Sequence, residues 1–191
     1  MAIYYPGTLI LVVGNSGSGK DSIISGCISK YPPNLKKIYH VKRYITRIPS
    51  ETEKNYYISP EEFLTMADKR KFALKWQIYG LYYGIPVEIE EWLKKGHPVL
   101  ANISRTIVKK ARLKYKNVKV VFIRVPFDIT VQRVKNRGRE SKGNIKERIE
   151  RARKLQTFPE ADFIIDNSGD LDNAIHQFLD YLLNFINEKE N

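Results

Sequence analysis

The sequence predicts an α/β fold built on a parallel sheet, and three observations support this prediction. Short apolar segments of strand length alternate with segments of helical character along most of the chain, as in a parallel sheet that is covered by helices on both faces. A glycine-rich turn directly follows the first apolar segment. The 191 residues are 42% hydrophobic and 28% charged, which suits a single folded domain and argues against disorder.

The core elements follow one another in a regular order. A strand at 8–13 leads through the glycine-rich turn into a helix that ends near Lys30. Further strands are predicted at 98–103, 118–125 and 163–165. Helices are expected after Ser104 to Tyr115, after Asp128 to Asn136, and from a capping box of Asn144 and Glu147 to Leu155. The inner face of a final helix is formed by Leu171, Ile175, Phe178, Leu179, Leu182 and Ile186.

The stretch 39–95 interrupts this alternation and is rich in tyrosine. Ser59-Pro60-Glu61-Glu62 is a strong helix start, because serine at the N-cap, proline in the first turn and glutamate at the third position all favour a helix N-terminus. A second helix is expected to begin near Pro86 and to end at Gly96. We expect this stretch to be an acceptor-binding insertion that closes over a substrate. The core would then consist of 1–38, 96–127 and 156–191.

The charge of the chain leaves two kinds of ligand open. With 33 basic and 21 acidic residues, the net charge is +12, which is compatible with a nucleic-acid-binding surface and with small substrates that carry several phosphates. The longest apolar run, 9–13, is too short to cross a membrane, and no signal peptide is recognisable at the N-terminus. The single cysteine, Cys27, excludes an internal disulfide. We therefore expect a cytoplasmic protein.

A phosphate-binding loop is the strongest functional signal. Residues 14–20 fit the pattern G-x-x-x-x-G-K directly after an apolar strand. Glycines let the backbone curl so that its N–H groups point at phosphate oxygens, and the next helix presents its positive end to the same anion. We expect ATP here, with Lys20 reaching the β- and γ-phosphates. The candidate nucleotide-binding residues are Gly14, Asn15, Ser16, Gly17, Ser18, Gly19, Lys20, Asp21 and Ser22.

The residue after the loop lysine departs from the usual pattern. Position 21 normally carries a serine or threonine whose hydroxyl binds Mg²⁺, whereas this chain has Asp21 followed by Ser22. A carboxylate is also a good oxygen ligand for Mg²⁺, so Asp21 is the candidate metal ligand. The alternative is that Asp21 only compensates the dipole of the helix that begins here.

Further motifs follow the loop in a fixed order. They are Thr46-Arg47, Phe63, Phe72, Tyr82-Tyr83-Gly84 and Arg137-Gly138-Arg139-Glu140. With these motifs the chain resembles guanylate kinases. It resembles more closely the ribose 1,5-bisphosphate phosphokinases of phosphonate catabolism, at Gly19-Lys20-Asp21-Ser22, Arg43-Tyr44-Ile45-Thr46-Arg47, Val87-Glu88-Ile89 and Asn102 with Ser104-Arg105.

This resemblance covers nearly the whole chain and implies both a fold and an activity. The fold would be that of a P-loop kinase of the guanylate-kinase type, with the insertion at 39–95 and a lid at 128–155. The activity would be a phosphotransfer from Mg-ATP to ribose 1,5-bisphosphate that yields 5-phosphoribosyl 1-diphosphate. The aspartate at position 21 is a variant that the closer relatives share.

The resemblance also implies roles for individual side chains. Three lid arginines would reach the ATP phosphates and act in catalysis together with Lys20: Arg133, Arg137 and Arg148. The alternative is that these arginines pair with glutamates on the helix surfaces. The residues that would contact the acceptor are Arg43, Arg47, Tyr82 and Asn102. Asn167 is a weaker candidate to lie near the adenine.

Two departures from guanylate kinases bear on the choice of acceptor. Leu74 stands where those enzymes carry a glutamate that reads guanine, and Ser50 stands where a second phosphate-binding arginine is expected. Leucine accepts no hydrogen bond, so GMP is disfavoured. Three alternatives stay open: a nucleoside monophosphate kinase, an inactive guanylate-kinase-like binding module and a nucleic-acid binder. The expected partners are ATP and a sugar phosphate rather than a membrane or a nucleic acid, and a homodimer is left open.

Overall fold

The computed structural model describes residues 1–48, 55–136 and 142–190, with side chains at all of these except 142–144 and 187–190. The strands are β1 (Leu9–Gly14), β2 (Tyr39–His40), β3 (Tyr44–Ile45), β4 (Tyr56–Tyr57), β5 (Phe72–Ile78), β6 (Leu81–Pro86), β7 (Val99–Asn102), β8 (Val118–Arg124) and β9 (Phe163–Asp166). The helices are α1 (Lys20–Lys30), α2 (Pro60–Asp68), α3 (Ile89–Lys94), α4 (Val108–Lys114), α5 (Phe127–Asn136), α6 (Lys142–Lys154) and α7 (Leu171–Glu190), with a 3₁₀ turn at Arg105–Ile107.

The predicted parallel sheet is confirmed. It has five strands in the order β2-β7-β1-β8-β9. The β2 and β7 strands pair in parallel from Tyr39 opposite Val99, and β8 and β9 pair in parallel from Val121 opposite Phe163. Residues 9–13 of β1 are fully buried, as expected for a strand covered on both faces. Each predicted core strand is present, with its ends shifted by one residue or less.

The first of two compact units comprises 1–11 and 36–119, and it contains a second sheet that the sequence analysis did not anticipate. This sheet has four strands in the order β4-β3-β6-β5. Its longest pairing is an antiparallel hairpin of β5 and β6, joined by Tyr79 and Gly80. Both turn residues have positive φ, 54° and 71°. Such a two-residue turn matches the twist of paired strands and explains the glycine.

The second unit comprises 12–35 and 120–191 and is built mainly of helices on two parallel strands. Helix α1 packs against α7, and Gly26 is needed there because a Cβ atom would collide with the side chain of Ile175. Helices α5 and α6 pack against each other, and the guanidinium of Arg153 lies 5.3 Å from the ring centre of Phe127. Cys27 is fully buried in this unit, and burial raises its pKa to about 12.

Of the predicted N-caps, Ser59 and Ser104 are confirmed, Ser104 at the 3₁₀ turn that leads into α4, whereas Asp128 and Asn144 are wrong. Ser59 forms the capping box, since its Oγ accepts from the Glu62 N–H at 3.1 Å and the Glu62 carboxylate accepts from the Ser59 N–H at 2.8 Å. Asp128 is not an N-cap, because α5 begins one residue earlier and the Pro126 carbonyl accepts from the Thr130 N–H. Helix α6 begins two residues before Asn144, so that asparagine does not cap it either.

Two further expectations need correction. Pro86 does not open a helix; it is the last residue of β6, paired with Phe72, and α3 begins at Ile89. On the final helix, four of the predicted inner residues are buried: Ile175, Phe178, Leu182 and Ile186. Leu171 is 40% exposed, because it is the first residue of α7 and lies at the end of the packed face. Leu179 is half-buried.

Candidate functional site

The phosphate-binding loop has the backbone geometry that its sequence predicts. It begins at Gly14, the last residue of β1, and ends where α1 starts at Lys20. Gly17 and Gly19 have φ of 81° and 83°, in the left-handed region that glycine adopts without a steric penalty. The Ser18 N–H donates to the Asn15 carbonyl at 3.2 Å and closes the curl. The loop thus leads into the positive N-terminal end of an 11-residue helix.

The ammonium group of Lys20 lies against this loop. Its Nζ donates to the carbonyls of Gly14 at 3.0 Å and Asn15 at 2.9 Å, and it lies 3.3 Å from the Ser18 Oγ. A cation, a helix N-terminus and a curled backbone therefore converge within eight residues. This combination favours the binding of a polyphosphate.

The other elements of the same unit approach the loop closely. A Cβ atom at Gly17 would lie 3.3 Å from the Cβ of Arg133, so α5 is packed against the loop. The guanidinium of Arg148, on α6, donates from Nη1 to the Ser16 Oγ at 2.6 Å. The Nδ2 of Asn15 donates to the Leu155 carbonyl just after α6, at 3.2 Å. Two of the three predicted lid arginines are thus held beside the loop, while Arg137 lies outside the described residues.

Asp21 is the second residue of α1 and is half-buried. Among the described residues, no group of three histidine, cysteine or acidic side chains is arranged to hold a metal ion. Mg²⁺ in kinases does not need such a group, since it is often bound by one or two carboxylates together with phosphate oxygens and water. A single carboxylate in the first helical turn after the loop fits this requirement. Ser22 follows it and is exposed.

Arg43, one of the residues predicted to contact the acceptor, is half-buried. Its Nη1 donates to the Asn102 carbonyl at 3.3 Å, and its guanidinium carbon lies 5.6 Å from the ring centre of Tyr83. Its Nε is buried and has no hydrogen-bond partner among the described residues. A buried donor on a cation is costly unless an acceptor satisfies it, which makes this atom suitable for an anionic ligand. Asn102 is itself 4% exposed at the end of β7.

The remaining acceptor candidates lie on the antiparallel sheet or next to it. The Nη1 of Arg47 donates to the Ile48 carbonyl at 3.2 Å. The backbone of Tyr82 exchanges two bonds with Thr46, at 3.0 Å to Oγ1 and 3.2 Å from the Thr46 N–H. The ring of Tyr82 stacks on Phe63, with centres 5.2 Å apart. The bonds to Thr46 thus connect Tyr82, on β6, to the segment after β3 that contains Arg47. Ser50 lies outside the described residues.

Two aromatic residues that the sequence analysis names only as motif positions support the acceptor candidates. Tyr83 lies under the guanidinium of Arg43, and Phe63 stacks between Tyr82 and Phe72. Side chains alternate along β6, so Tyr82 and Tyr83 lie on opposite faces of the strand. Once the hairpin is known, this alternation predicts different roles for the two tyrosines. Leu74, on β5, is 2% exposed. Its buried aliphatic side chain offers no acceptor for a base.

Comparisons with known proteins agree with this geometry. The family model described as Guanylate kinase matches residues 6–184. A guanylate kinase from Anaplasma phagocytophilum has the same fold, with a TM-score of 0.66 over 94% of this chain and 86% of that structure, at 17% sequence identity. No helix in the described parts of the chain has the length and apolar character needed to span a membrane.

Relatives with higher identity carry a more specific name. The ribose 1,5-bisphosphate phosphokinase PhnN of Bradyrhizobium diazoefficiens is 37% identical over 183 residues, which cover 94% of this chain and 89% of the relative. The PhnN of Pseudomonas paraeruginosa is 38% identical over 178 residues, covering 92% and 95%. The chain therefore belongs to the guanylate kinase family and, within it, to the ribose 1,5-bisphosphate phosphokinases.

Proposed function

We propose that this protein transfers the γ-phosphoryl group of ATP to the 1-phosphate of ribose 1,5-bisphosphate. An oxygen of the 1-phosphate attacks the γ-phosphorus, the bond from that phosphorus to the bridging oxygen of ADP breaks, and the products are 5-phosphoribosyl 1-diphosphate and ADP. The observation that carries this proposal is the acceptor-side Arg43, whose buried Nε lacks a partner among the described residues. The relatives of this chain are named for the same substrate, ribose 1,5-bisphosphate.

The phosphate loop supplies the nucleotide half of the reaction. In phosphoryl transfer the protein mainly positions the reactants and neutralises charge. We assign the ATP phosphates to the backbone of residues 14–20 and to Lys20. Arg133 and Arg148 add positive charge beside the loop from α5 and α6, and Arg137 is assigned to the same task by resemblance. Asp21 is the proposed ligand of Mg²⁺, an ion that neutralises phosphate charge when it is bound.

The arginines of the other unit supply the acceptor half. Ribose 1,5-bisphosphate carries two phosphates and no base, so recognition requires cations rather than a base-reading carboxylate. Arginine suits this task because its planar guanidinium matches phosphate oxygens with two parallel donors. We assign Arg43 and Arg47 to the acceptor phosphates, and Tyr82 and Asn102 to its orientation. The buried Leu74 is consistent with an acceptor that has no guanine.

The proposal divides the chain by task. Residues 39–95 form the acceptor-binding insertion and 128–155 form the lid region, while 1–38, 96–127 and 156–191 form the core. Because ATP and phosphorylated sugars are substrates of the cytoplasm, we place the reaction there.

Product identification tests this function. The protein is incubated with Mg-ATP and ribose 1,5-bisphosphate, and ³¹P NMR is used to detect the coupled pair of signals of a diphosphate ester in addition to that of ADP. Ribose 5-phosphate, which lacks the attacking 1-phosphate, is the matched control and is expected to give no diphosphate. Formation of GDP from GMP without any diphosphate ester from the bisphosphate would instead identify a guanylate kinase. ATP binding without transfer to any acceptor would identify an inactive binding module.

A further inference from the structure

Asn167 directly follows β9 and is 2% exposed. Its backbone N–H donates to the Arg124 carbonyl at 2.9 Å and so continues the pairing of β8 with β9 by one residue. The preceding residue is fixed as well, since Gln177 on α7 accepts from the Asp166 N–H at 3.0 Å and donates to the Asp166 carbonyl at 3.1 Å. The backbone at Asn167 is therefore hydrogen-bonded to β8, and that of the preceding residue to α7, within the unit that holds the phosphate loop.

The side chain of Asn167 contacts the loop backbone. Its Nδ2 donates to the Ser18 carbonyl at 2.9 Å, and this hydrogen bond is buried. The amide occupies the space beside Gly19, because a Cβ atom there would lie 2.5 Å from the same Nδ2. The missing side chain at position 19 thus allows the close approach, in addition to the left-handed φ of that residue.

This hydrogen bond fixes the direction of one peptide group. The Ser18 carbonyl and the Gly19 N–H belong to the same trans peptide, in which the two groups point in opposite directions. When the carbonyl is held toward Asn167, the Gly19 N–H must point away from it. Without the bond this peptide would rotate readily, because the glycine beside it has a wide choice of backbone angles.

We propose that Asn167 is a positioning residue for the nucleotide phosphates, which holds the Ser18–Gly19 peptide so that the Gly19 N–H faces a bound phosphate. The proposal rests on the proposed function in one respect, namely that the loop binds a polyphosphate. The competing account is a contact with the adenine base. The adenine account rests on the Oδ1 of Asn167, which is buried without a hydrogen-bond partner in the described parts of the chain and so is available to accept a bond from a base.

Two probes separate these accounts. Calorimetry measures the binding of Mg-ATP and of Mg-tripolyphosphate, which has no base, to the wild-type protein and to Asn167→Ala. Loss of the hydrogen bond from Asn167 to Ser18 is expected to weaken the binding of both ligands by the same factor, about 5- to 10-fold, since one buried hydrogen bond is lost. Asn173→Ala is the matched control, because Asn173 is exposed near the start of α7 in the same unit. It is expected to bind both ligands as the wild type does.

The outcomes are distinct. Weaker binding of ATP with unchanged binding of tripolyphosphate would assign Asn167 to the base and overturn the proposal, and so would unchanged binding of both. If the wild-type protein bound neither ligand, the nucleotide-binding part of the proposed function would fail together with this inference. If the wild-type protein bound both ligands but the Asn167 variant did not show the expected loss of binding, the proposed function would stand and only this inference would be wrong.

A second variant covers the case in which Asn167→Ala does not fold. Asn167→Asp keeps the size of the side chain but replaces the Nδ2 donor with an oxygen that repels the Ser18 carbonyl, so it is expected to weaken both ligands at least as much. Hydrogen–deuterium exchange of the ligand-free protein gives an independent readout. Faster exchange in the segment 14–20 of either variant is expected, and exchange equal to that of the wild type would overturn the proposal.

Discussion

The phosphate loop and the proposed acceptor region are built in different ways. The loop brings a cation, two left-handed glycines and a helix N-terminus together from one run of eight residues, 14–21. The acceptor region assembles Arg43, Tyr83 and Asn102 from three separate strands or their flanks. A contiguous motif therefore specifies the anion site, whereas the acceptor site depends on strand pairing over long distances in the sequence.

The two regions also use different chemical groups. The loop combines the Lys20 side chain with backbone N–H groups, which any sequence with the right glycines can present. The acceptor region relies on side chains, which a single substitution replaces. We therefore expect variants of the loop and variants of the proposed acceptor region to differ in their effects. Variants in the loop should then lower activity with every acceptor, and variants around Arg43 should affect the acceptor alone.

The largest effect is expected for Lys20→Ala. Removal of the ammonium group that we assign to the β- and γ-phosphates should lower turnover by about 10²- to 10³-fold with any acceptor. Steady-state kinetics measures this, and circular dichroism verifies the fold. Lys30→Ala, at the exposed end of the same helix, is the control and should keep wild-type turnover. A folded Lys20→Ala protein with wild-type turnover would show that the loop does not serve catalysis.

Arg43→Ala should affect binding of the acceptor without affecting binding of ATP, and so distinguish the two regions. Loss of a charge-assisted contact is expected to raise KM for ribose 1,5-bisphosphate by about 10- to 100-fold while KM for ATP stays the same. The control is Lys42→Ala, because Lys42 is exposed and its ammonium lies 5.4 Å from the ring centre of Tyr56. An equal rise in both KM values would contradict the division between an ATP half and an acceptor half.

Asp21→Asn tests the metal assignment with a smaller effect. If the carboxylate binds Mg²⁺, its neutralisation should weaken Mg-ATP binding by about 2- to 5-fold, and it should tighten ATP binding in EDTA by a similar factor because a negative charge next to the phosphates is gone. Titration of ATP into both proteins, with Mg²⁺ and with EDTA, measures this. Equal weakening under both conditions would mean that Asp21 serves the shape of the loop.

The smallest effect concerns the strand end that carries Asn167. A hydrogen bond from Ser168, together with the ion pair with Arg124 at 2.7 Å, lowers the pKa of Asp166 to about 2. A lowered pKa stabilises the folded protein above the unfolded value of 3.8, and this contribution disappears as the pH falls from about 4 through 2. Because both side chains are largely exposed, Asp166→Asn should lower the free energy of unfolding by under about 1 kcal/mol at pH 7.

Urea unfolding at several pH values checks this expectation. The difference between the wild type and Asp166→Asn should shrink below pH 4 and vanish near pH 2. A difference that stays constant with pH would show that the ionised carboxylate is not the stabilising group.

The same contrast explains how far the sequence predicts the structure. The loop from Gly14 to Lys20 was predictable residue by residue, because local backbone chemistry determines it. The helix start at Asp128 was predicted wrongly, because the Pro126 carbonyl begins α5 one residue earlier. The hairpin through Tyr79 and Gly80 was missed, because its pairing partners are identified only when the strands meet. Asn167 followed a predicted strand, but its contact with Ser18 spans 149 positions.

Competition between acceptors tests most directly whether the protein prefers ribose 1,5-bisphosphate to GMP. Equal concentrations of ribose 1,5-bisphosphate and GMP are mixed with limiting Mg-ATP, and the ratio of 5-phosphoribosyl 1-diphosphate to GDP gives the ratio of the two kcat/KM values. With Leu74 in place of a base-reading carboxylate, we expect the sugar phosphate to be preferred by roughly 10⁴-fold. Formation of GDP at a rate equal to or above that of the diphosphate ester would contradict the assignment of the acceptor.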